Sequence, residues 1–389
     1  MDIVVKRCRY VVKSFKPLHI VENSSIVIDG ETISCVGECK DIHGYEILEC
    51  GDSIAMPGFV SSHTHVLPSN VDGNVDDVVR EALATLLKHG FTAIHIADEQ
   101  HADLLCDKAN EMGLRISIGP LISSEDDLKK LYMAKNLRRG LCIPAINIRL
   151  TENTNNNVLS LVNDFASRNN INIQVVMPQK ISDVLAYYKK KGEWIVKHLA
   201  KTGLLTKRTC LAHFSWATTW EIEELMQSEA NISIVPYTDS MAGILGSVHP
   251  QLFKLKRISI GIDDIWKRIG TSILYDIIAL QTVYSAKTWG LYPQTEDVLH
   301  YSTRGGAQAL NIDAGIIEIG KQADIAIFEI NRHEVQRDMV STILNSIHIA
   351  KYTIVNGKIA CNTANNRIGE AKLKNPPKTK EVSTATTKT

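Results

Sequence analysis

The chain has 389 residues, 44% hydrophobic and 22% charged, a balance that fits a soluble globular protein and excludes a disordered or fibrous one. With 43 basic and 43 acidic residues it has no net field to draw it to nucleic acid or to an acidic lipid surface. No apolar run nears the roughly 20 residues that span a bilayer, and Met1 to Lys6 read as a strand, not as a secretory leader. The expected location is therefore cytoplasmic, with the eight cysteines as reduced thiols. Cys35 and Cys39 have no second nearby pair that would make them a metal clip.

Residues 1–55 predict the first part of a small β-sandwich. Tyr10-Val11-Val12, Ser25 to Ile28, Thr32 to Val36 and Ile47 to Cys50 are short β-branched runs, with turn signals such as Asp29-Gly30 between them. A sheet this small cannot bury both faces alone and needs a partner. From Pro57 the pattern changes to strands alternating with amphipathic helices. Val78, Val79, Ala82, Leu83, Leu86 and Leu87 share one helical face, and His89-Gly90 closes that helix before the strand Phe91 to Ala97. Further strands are expected at Leu114–Ile118, Ala145–Ile148, Ile171–Val176, Cys210–Ala212, Ile232–Val235 and Ile258–Ile262. Helices are expected near 101–112, 125–137, 157–169, 181–203, 217–228, 265–288 and 295–311.

About eight strand–helix units between residues 56 and 317 suit a (β/α)8 TIM-like barrel. A doubly wound open sheet is the alternative, but no glycine-rich phosphate turn supports it. Residues 318–365 return to β structure, with a strand at Gly320–Phe328 and a hairpin turning at Asn356-Gly357. They are expected to complete the sandwich begun at the other chain end. Residues 366–389, rich in lysine and threonine, read as a disordered tail.

Chemistry in such a barrel sits at the C-terminal ends of the strands. His63 and His65, at i and i+2 of the first strand, can aim two imidazoles at one point, half of a tetrahedral metal site. Two other strand ends carry ligand-type residues, His213 and Asp263. Alone, His213 reads as a buried core histidine and Asp263 as a helix cap. Together, in this order, they point to one shared site.

These motifs resemble the amidohydrolase superfamily, and within it the deaminase/chlorohydrolase branch. Pro57-Gly58-Phe59 through His65 is similar to the first-strand metal motif, and Gly261-Ile262-Asp263 to the last-strand Gly-Thr-Asp. His213 stands in the place of the sixth-strand histidine. Gly305 through Asp324 and Val355-Asn356-Gly357-Lys358 are similar to the segments that return to the sandwich. The resemblance implies that His63, His65 and Asp263 bind one divalent metal, zinc first and iron second. It implies that His213 contacts the activated water or the substrate, and that Asp263 can accept the proton. It also implies a small-molecule substrate and leaves a homodimer open.

Three departures stand out. Where the branch carries His-x-x-Glu on its fifth strand, this chain has Gln174-Val175-Val176-Met177. Gln174 can ligate only as a neutral, poorer donor, and Met177 carries no proton. Asp98, Glu99 and Asp264 are candidate substitutes, whereas His95 reads as a core residue. Trp216 replaces a second histidine, and the loop after His65 is short for the branch. The expected function is metal-dependent hydrolysis of a non-peptide C–N bond, by deamination or cyclic amide or amidine opening. The alternative is a catalytically lapsed relative that binds or regulates.

Overall fold

The computed structural model describes all residues except 1, 41–44, 69, 71–72, 98–99, 292, 331–337, 366, 370 and 373–389. The described residues form two ten-stranded sheets. The first begins with β1 (Ile3–Phe15), β2 (Leu18–Asp29), β3 (Thr32–Gly37), β4 (Glu46–Glu49) and β5 (Ser53–Pro57). The second holds β6 (Phe59–His65), β7 (Phe91–Ile96), β8 (Arg115–Ile118), β9 (Leu121–Ile122) and β10 (Cys142–Arg149). It continues with β11 (Asn172–Val176), β12 (Thr209–Ala212), β13 (Asn231–Ile234), β14 (Ile258–Ile260) and β15 (Asp263–Asp264). The chain then returns to the first sheet with β16 (Ile325–Glu329), β17 (Ala350–Val355), β18 (Lys358–Asn362), β19 (Arg367–Ile368) and β20 (Ala371–Lys372).

The strand order of the second sheet is β14-β13-β12-β11-β10-β8-β7-β6-β15. Asp263 and Asp264 of β15 pair with Thr64 and His65 of β6, while Ile258–Ile260 just before them pair with β13. One broken eighth strand thus joins both ends of the sheet and closes the barrel, as expected. Isoleucine and valine fill these strands because both faces are covered.

The two chain ends share the other sheet. β5 pairs with β1 in parallel and with β16 in antiparallel fashion, so the early and late segments interlock. The β17–β18 hairpin turns at Asn356 and Gly357, both at positive φ (51° and 74°). Barrel and sheet are clamped by a buried ion pair: Arg115 of β8 reaches Asp324 at 3.2 Å and Asn356 at 3.0 Å. The backbone N–H of Asn356 also donates to Asp324 at 2.7 Å. The Gly-Lys-Gln-Ala-Asp and Asn-Gly motifs are therefore joints between the two layers.

Several sequence expectations change. The helix expected over 181–203 is two helices, Ile181–Lys191 and Ile195–Lys201, because Gly192 caps the first at φ 72°. The helix expected from 265 starts at Leu274, since the preceding stretch wraps around the Arg268 side chain. The strand expected from Gly320 starts at Ile325, and Met339–Ser346 is a helix that periodicity did not reveal. The reading of 366 onward as a disordered tail gives way at its start. Ile368 is buried and Arg367–Ile368 pairs with β18, while 373–389 lie outside the described residues. The reduced-thiol expectation is also corrected: tertiary packing pairs Cys8–Cys50, Cys35–Cys39 and Cys106–Cys142 as disulfides. Cys210 and Cys361 remain as buried free thiols.

Candidate metal centre

All four principal residues meet at the C-terminal mouth of the barrel. His63 and His65 end β6, and their rings stand edge to face at 5.2 Å between centroids. Asp263 Oδ1 lies 3.7 Å from His63 Nε2 and 3.6 Å from His65 Nε2. Ligand atoms of these three residues fall within 4.8 Å of one another. His213, directly after β12, packs edge to face on His63 at 4.8 Å.

The backbone is bent to achieve this. His213 and Asp263 both adopt left-handed conformations, φ 58° and 56°, which side-chain-bearing residues seldom take. Gly261 has a separate reason to be glycine. A Cβ there would sit 2.7 Å from the Cβ of His63 and 3.0 Å from Ser233 Oγ. Gly261→Ala is expected to cost about 1–3 kcal/mol by overpacking and to displace His63. A lower urea midpoint together with less bound metal is the result to look for; wild-type values for both would show that His63 has slack.

Beneath the metal-type residues lies a hydroxyl layer. Ser62 Oγ meets Ser233 Oγ and Ser259 Oγ, each at 2.7 Å, and donates to Ile260 O at 3.1 Å. This pins β6 against β13 and β14. His95 is buried in the barrel as the sequence suggested, between Ser117 (3.2 Å) and Asn147 (2.8 Å), and burial pushes its pKa down to about 4. Burial, and next the neighbouring His213, hold the His63 pKa well below the usual histidine range. His63 Nε2 is buried and has no hydrogen-bond partner.

Gln174 lies beside His63, with its Oε1 2.7 Å from His63 Nδ1 and its Nε2 2.5 Å from the Ser62 carbonyl. Met177 is buried just past β11 and lines the cavity with a side chain that carries no titratable proton. Of the substitutes considered, Asp98 and Glu99 lie outside the described residues. Asp264 is already engaged by Lys267 at 2.9 Å and by the Trp266 N–H at 3.0 Å. Trp216 donates its indole N–H to Gln179 O at 2.8 Å, joining the loops after β11 and β12.

Sequence reasoning missed Asp239. It sits past the end of β13, almost wholly buried, and accepts the His213 Nδ1–H at 3.0 Å. Burial raises its pKa, and the bond from His213 opposes that rise. The signal was weak: Asp239 lies five residues past the end of β13, inside the short helix Pro236–Met241, whereas His213 directly follows β12. Two adjoining cavities open over the site. One of about 400 Å³ is lined by His63, His65, Met177, His213 and Glu152. The other, about 580 Å³, is lined by Asp263, Asp264 and Lys267, and the two share His65, Arg149 and Gln179. Their size suits a small ligand.

Residues 54–360 match the sequence model of the Amidohydrolase family. The chain belongs to the amidohydrolase family. Among its relatives is a 5-methylthioadenosine/S-adenosylhomocysteine deaminase of Thermodesulfovibrio yellowstonii, 24% identical over 88% of this chain and 89% of the relative. A 5'-deoxyadenosine deaminase of Methanosarcina acetivorans is 22% identical, over 92% of each chain. Among solved structures, a zinc-bound adenosine deaminase of Xanthomonas campestris superposes with a TM-score of 0.80 at 20% identity, covering 93% of each chain. Zinc-complexed atrazine chlorohydrolase of Arthrobacter aurescens gives 0.82 at 18% identity, covering 95% of this chain and 97% of its own. With such relatives along nearly its whole length, this amidohydrolase is an enzyme of the deaminase type. A lapsed, non-catalytic role finds no support among them.

Proposed function

We propose that this amidohydrolase is a metal-dependent hydrolytic deaminase of a small aminated heterocycle, with adenine nucleosides the first class to test. The carrying observation is the buried, unpartnered His63 Nε2, facing His65 Nε2 and Asp263 Oδ1 around one point. Two imidazole nitrogens and a carboxylate oxygen form a donor set that fits a divalent cation, zinc before iron. When bound, such an ion lowers the pKa of water from ~15.7 toward ~7 and polarises the substrate.

The remaining work falls to the chain. Water adds to the ring carbon that bears the amino group, one water proton must leave, and the amine must depart protonated as ammonia. With its Nδ1–H given to Asp239, His213 keeps Nε2 as an acceptor beside the metal-type residues. His213 Nε2 and the Asp263 carboxylate are the groups that receive and return that proton in place of the glutamate replaced by Met177. Met177, with Leu150, Val176 and Pro178, gives one side of the cavity an apolar lining.

The test is elemental analysis of protein purified without chelator, followed by ammonia release from adenosine, 5'-deoxyadenosine, 5'-methylthioadenosine, guanine and aminated triazines. Near-stoichiometric zinc or iron, with chelator-sensitive turnover of one class, is the expected result. Metal that stays substoichiometric after reconstitution would end this reading.

A further inference from the structure

A single ring proton on His63 can sit on either nitrogen, and the amide beside it leaves one choice. Gln174 and His63 are both buried, so neither can turn to water for a partner. One end of the Gln174 amide lies 2.5 Å from the Ser62 carbonyl oxygen. A carbonyl only accepts, so that end is the NH2 group. The other end is then Oε1, which also only accepts. His63 Nδ1, 2.7 Å away, must therefore carry the proton and donate it. His63 Nε2 is left with a bare lone pair, 3.7 Å from Asp263 Oδ1, which is likewise an acceptor. Two acceptors facing each other across that gap, with His65 Nε2 at 3.6 Å from the same oxygen, describe the seat of a cation.

We propose that Gln174 is a positioning residue that locks His63 in its Nδ1–H tautomer and aims the Nε2 lone pair at the metal, without itself being a ligand. This rests on the reading of His63, His65 and Asp263 as the cation site. The clamp is referenced to the strand it serves. Ser62 is the residue before His63, so a β6 carbonyl orients the amide and the amide orients the next ring. The Ser62 hydroxyl is itself tied to Ser233, Ser259 and Ile260 O, which keeps that carbonyl in place. At a position where the resemblance leads one to expect a histidine ligand, this chain has a group whose amide is spent on a backbone carbonyl and a neighbouring ring. The metal is then held by two histidines and one carboxylate. An outer partner that fixes a histidine tautomer is typically worth about 10–100-fold in metal affinity.

The experiment uses the full chain, labelled with 15N and stripped of metal, as wild type, Gln174→Met and Gln174→Glu. Methionine nearly matches glutamine in shape but removes the acceptor; glutamate keeps an acceptor toward His63. Long-range 1H–15N spectra are expected to show wild-type His63 wholly as the Nδ1–H tautomer, Gln174→Met as a mixture and Gln174→Glu as the single tautomer again. Zinc competition with a chelator should show about 10–100-fold weaker binding for Gln174→Met. At saturation, cobalt-loaded wild type and Gln174→Met should have the same absorption bands, since no ligand has been lost. Cobalt bands that move in Gln174→Met would make Gln174 a ligand and overturn the proposal. So would a wild-type His63 protonated on Nε2, or a Gln174→Met protein with unaltered tautomer and affinity. If wild type and both variants bind neither zinc nor cobalt, the cation reading itself fails, and the proposal with it.

Discussion

Replacing His213 by asparagine is expected to lower kcat by about 10²–10⁴-fold, the usual contribution of a positioned acid–base group, while bound metal and fold persist. Asparagine is the informative choice because His213 sits at φ 58°, a conformation that asparagine tolerates and most side chains do not. The size of the effect follows from what remains. Met177 offers no proton, and Asp264 is occupied by Lys267 and the Trp266 N–H. Asp239→Asn checks the same idea from the other side. An amide there can donate to His213 Nδ1 and so favour a proton on Nε2, where an acceptor is needed. A comparable fall in kcat, without loss of metal, is expected. Steady-state kinetics at saturating substrate, with metal content measured on the same samples, decide the matter. Wild-type kcat in His213→Asn would leave the proton role to the Asp263 carboxylate alone or to Glu152 on the cavity wall, the next residue to substitute.

The second large effect is on stability. Arg268 and Asp276 form a fully buried ion pair at 2.6 Å. Arg268 also donates to Ile262 O at 2.8 Å and Gly270 O at 3.2 Å, and its guanidinium lies over the Tyr237 ring at 4.6 Å. Asp276 in turn accepts the Tyr237 N–H at 3.1 Å. Arg268→Met strands the Asp276 carboxylate without its charge partner, and breaking such a buried pair costs about 3–5 kcal/mol. Arg268→Met/Asp276→Leu should recover part of that loss by removing the orphaned charge. Recovery will be incomplete, because Ile262 O, Gly270 O and the Tyr237 N–H lose their partners. Ile262 immediately precedes Asp263, so the single variant should also bind metal more weakly. Urea unfolding of the three proteins measures this, and a single variant within about 1 kcal/mol of wild type would contradict the role given to the pair.

The (β/α)8 architecture was legible because its signal is repetitive. The buried parallel strands are short runs rich in isoleucine and valine, and the intervening helices show one apolar face, as Val79, Ala82, Leu83, Leu86 and Leu87 do. His63, His65, His213 and Asp263 were legible for a related reason, since each falls where a recognisable strand stops. Less regular stretches were harder. Residues 265–273 lead into a helix but wrap around a buried guanidinium whose partners no local pattern shows. Arg367–Ile368 was hidden by the polar segment that follows it.

By itself, the sequence determined the alternation of elements, the chain-end sheet, the order of the strand-end residues and the departures at Gln174 and Met177. Local periodicity and residue chemistry specify the first three without reference to distance, and the resemblance to the family marks the departures. Tertiary structure alone decided what each departure does. Gln174 is turned between a carbonyl and a ring nitrogen by the packing of β11 against β6, and Asp239 reaches His213 only because β12 and β13 are neighbours in the barrel. The cysteine pairings and the Arg115–Asp324 and Arg268–Asp276 ion pairs belong to the same class. Whether a polar group ligates, positions or merely braces depends on which atoms stand within about 3 Å of it, and for residues far apart in the chain only the closed fold sets that distance.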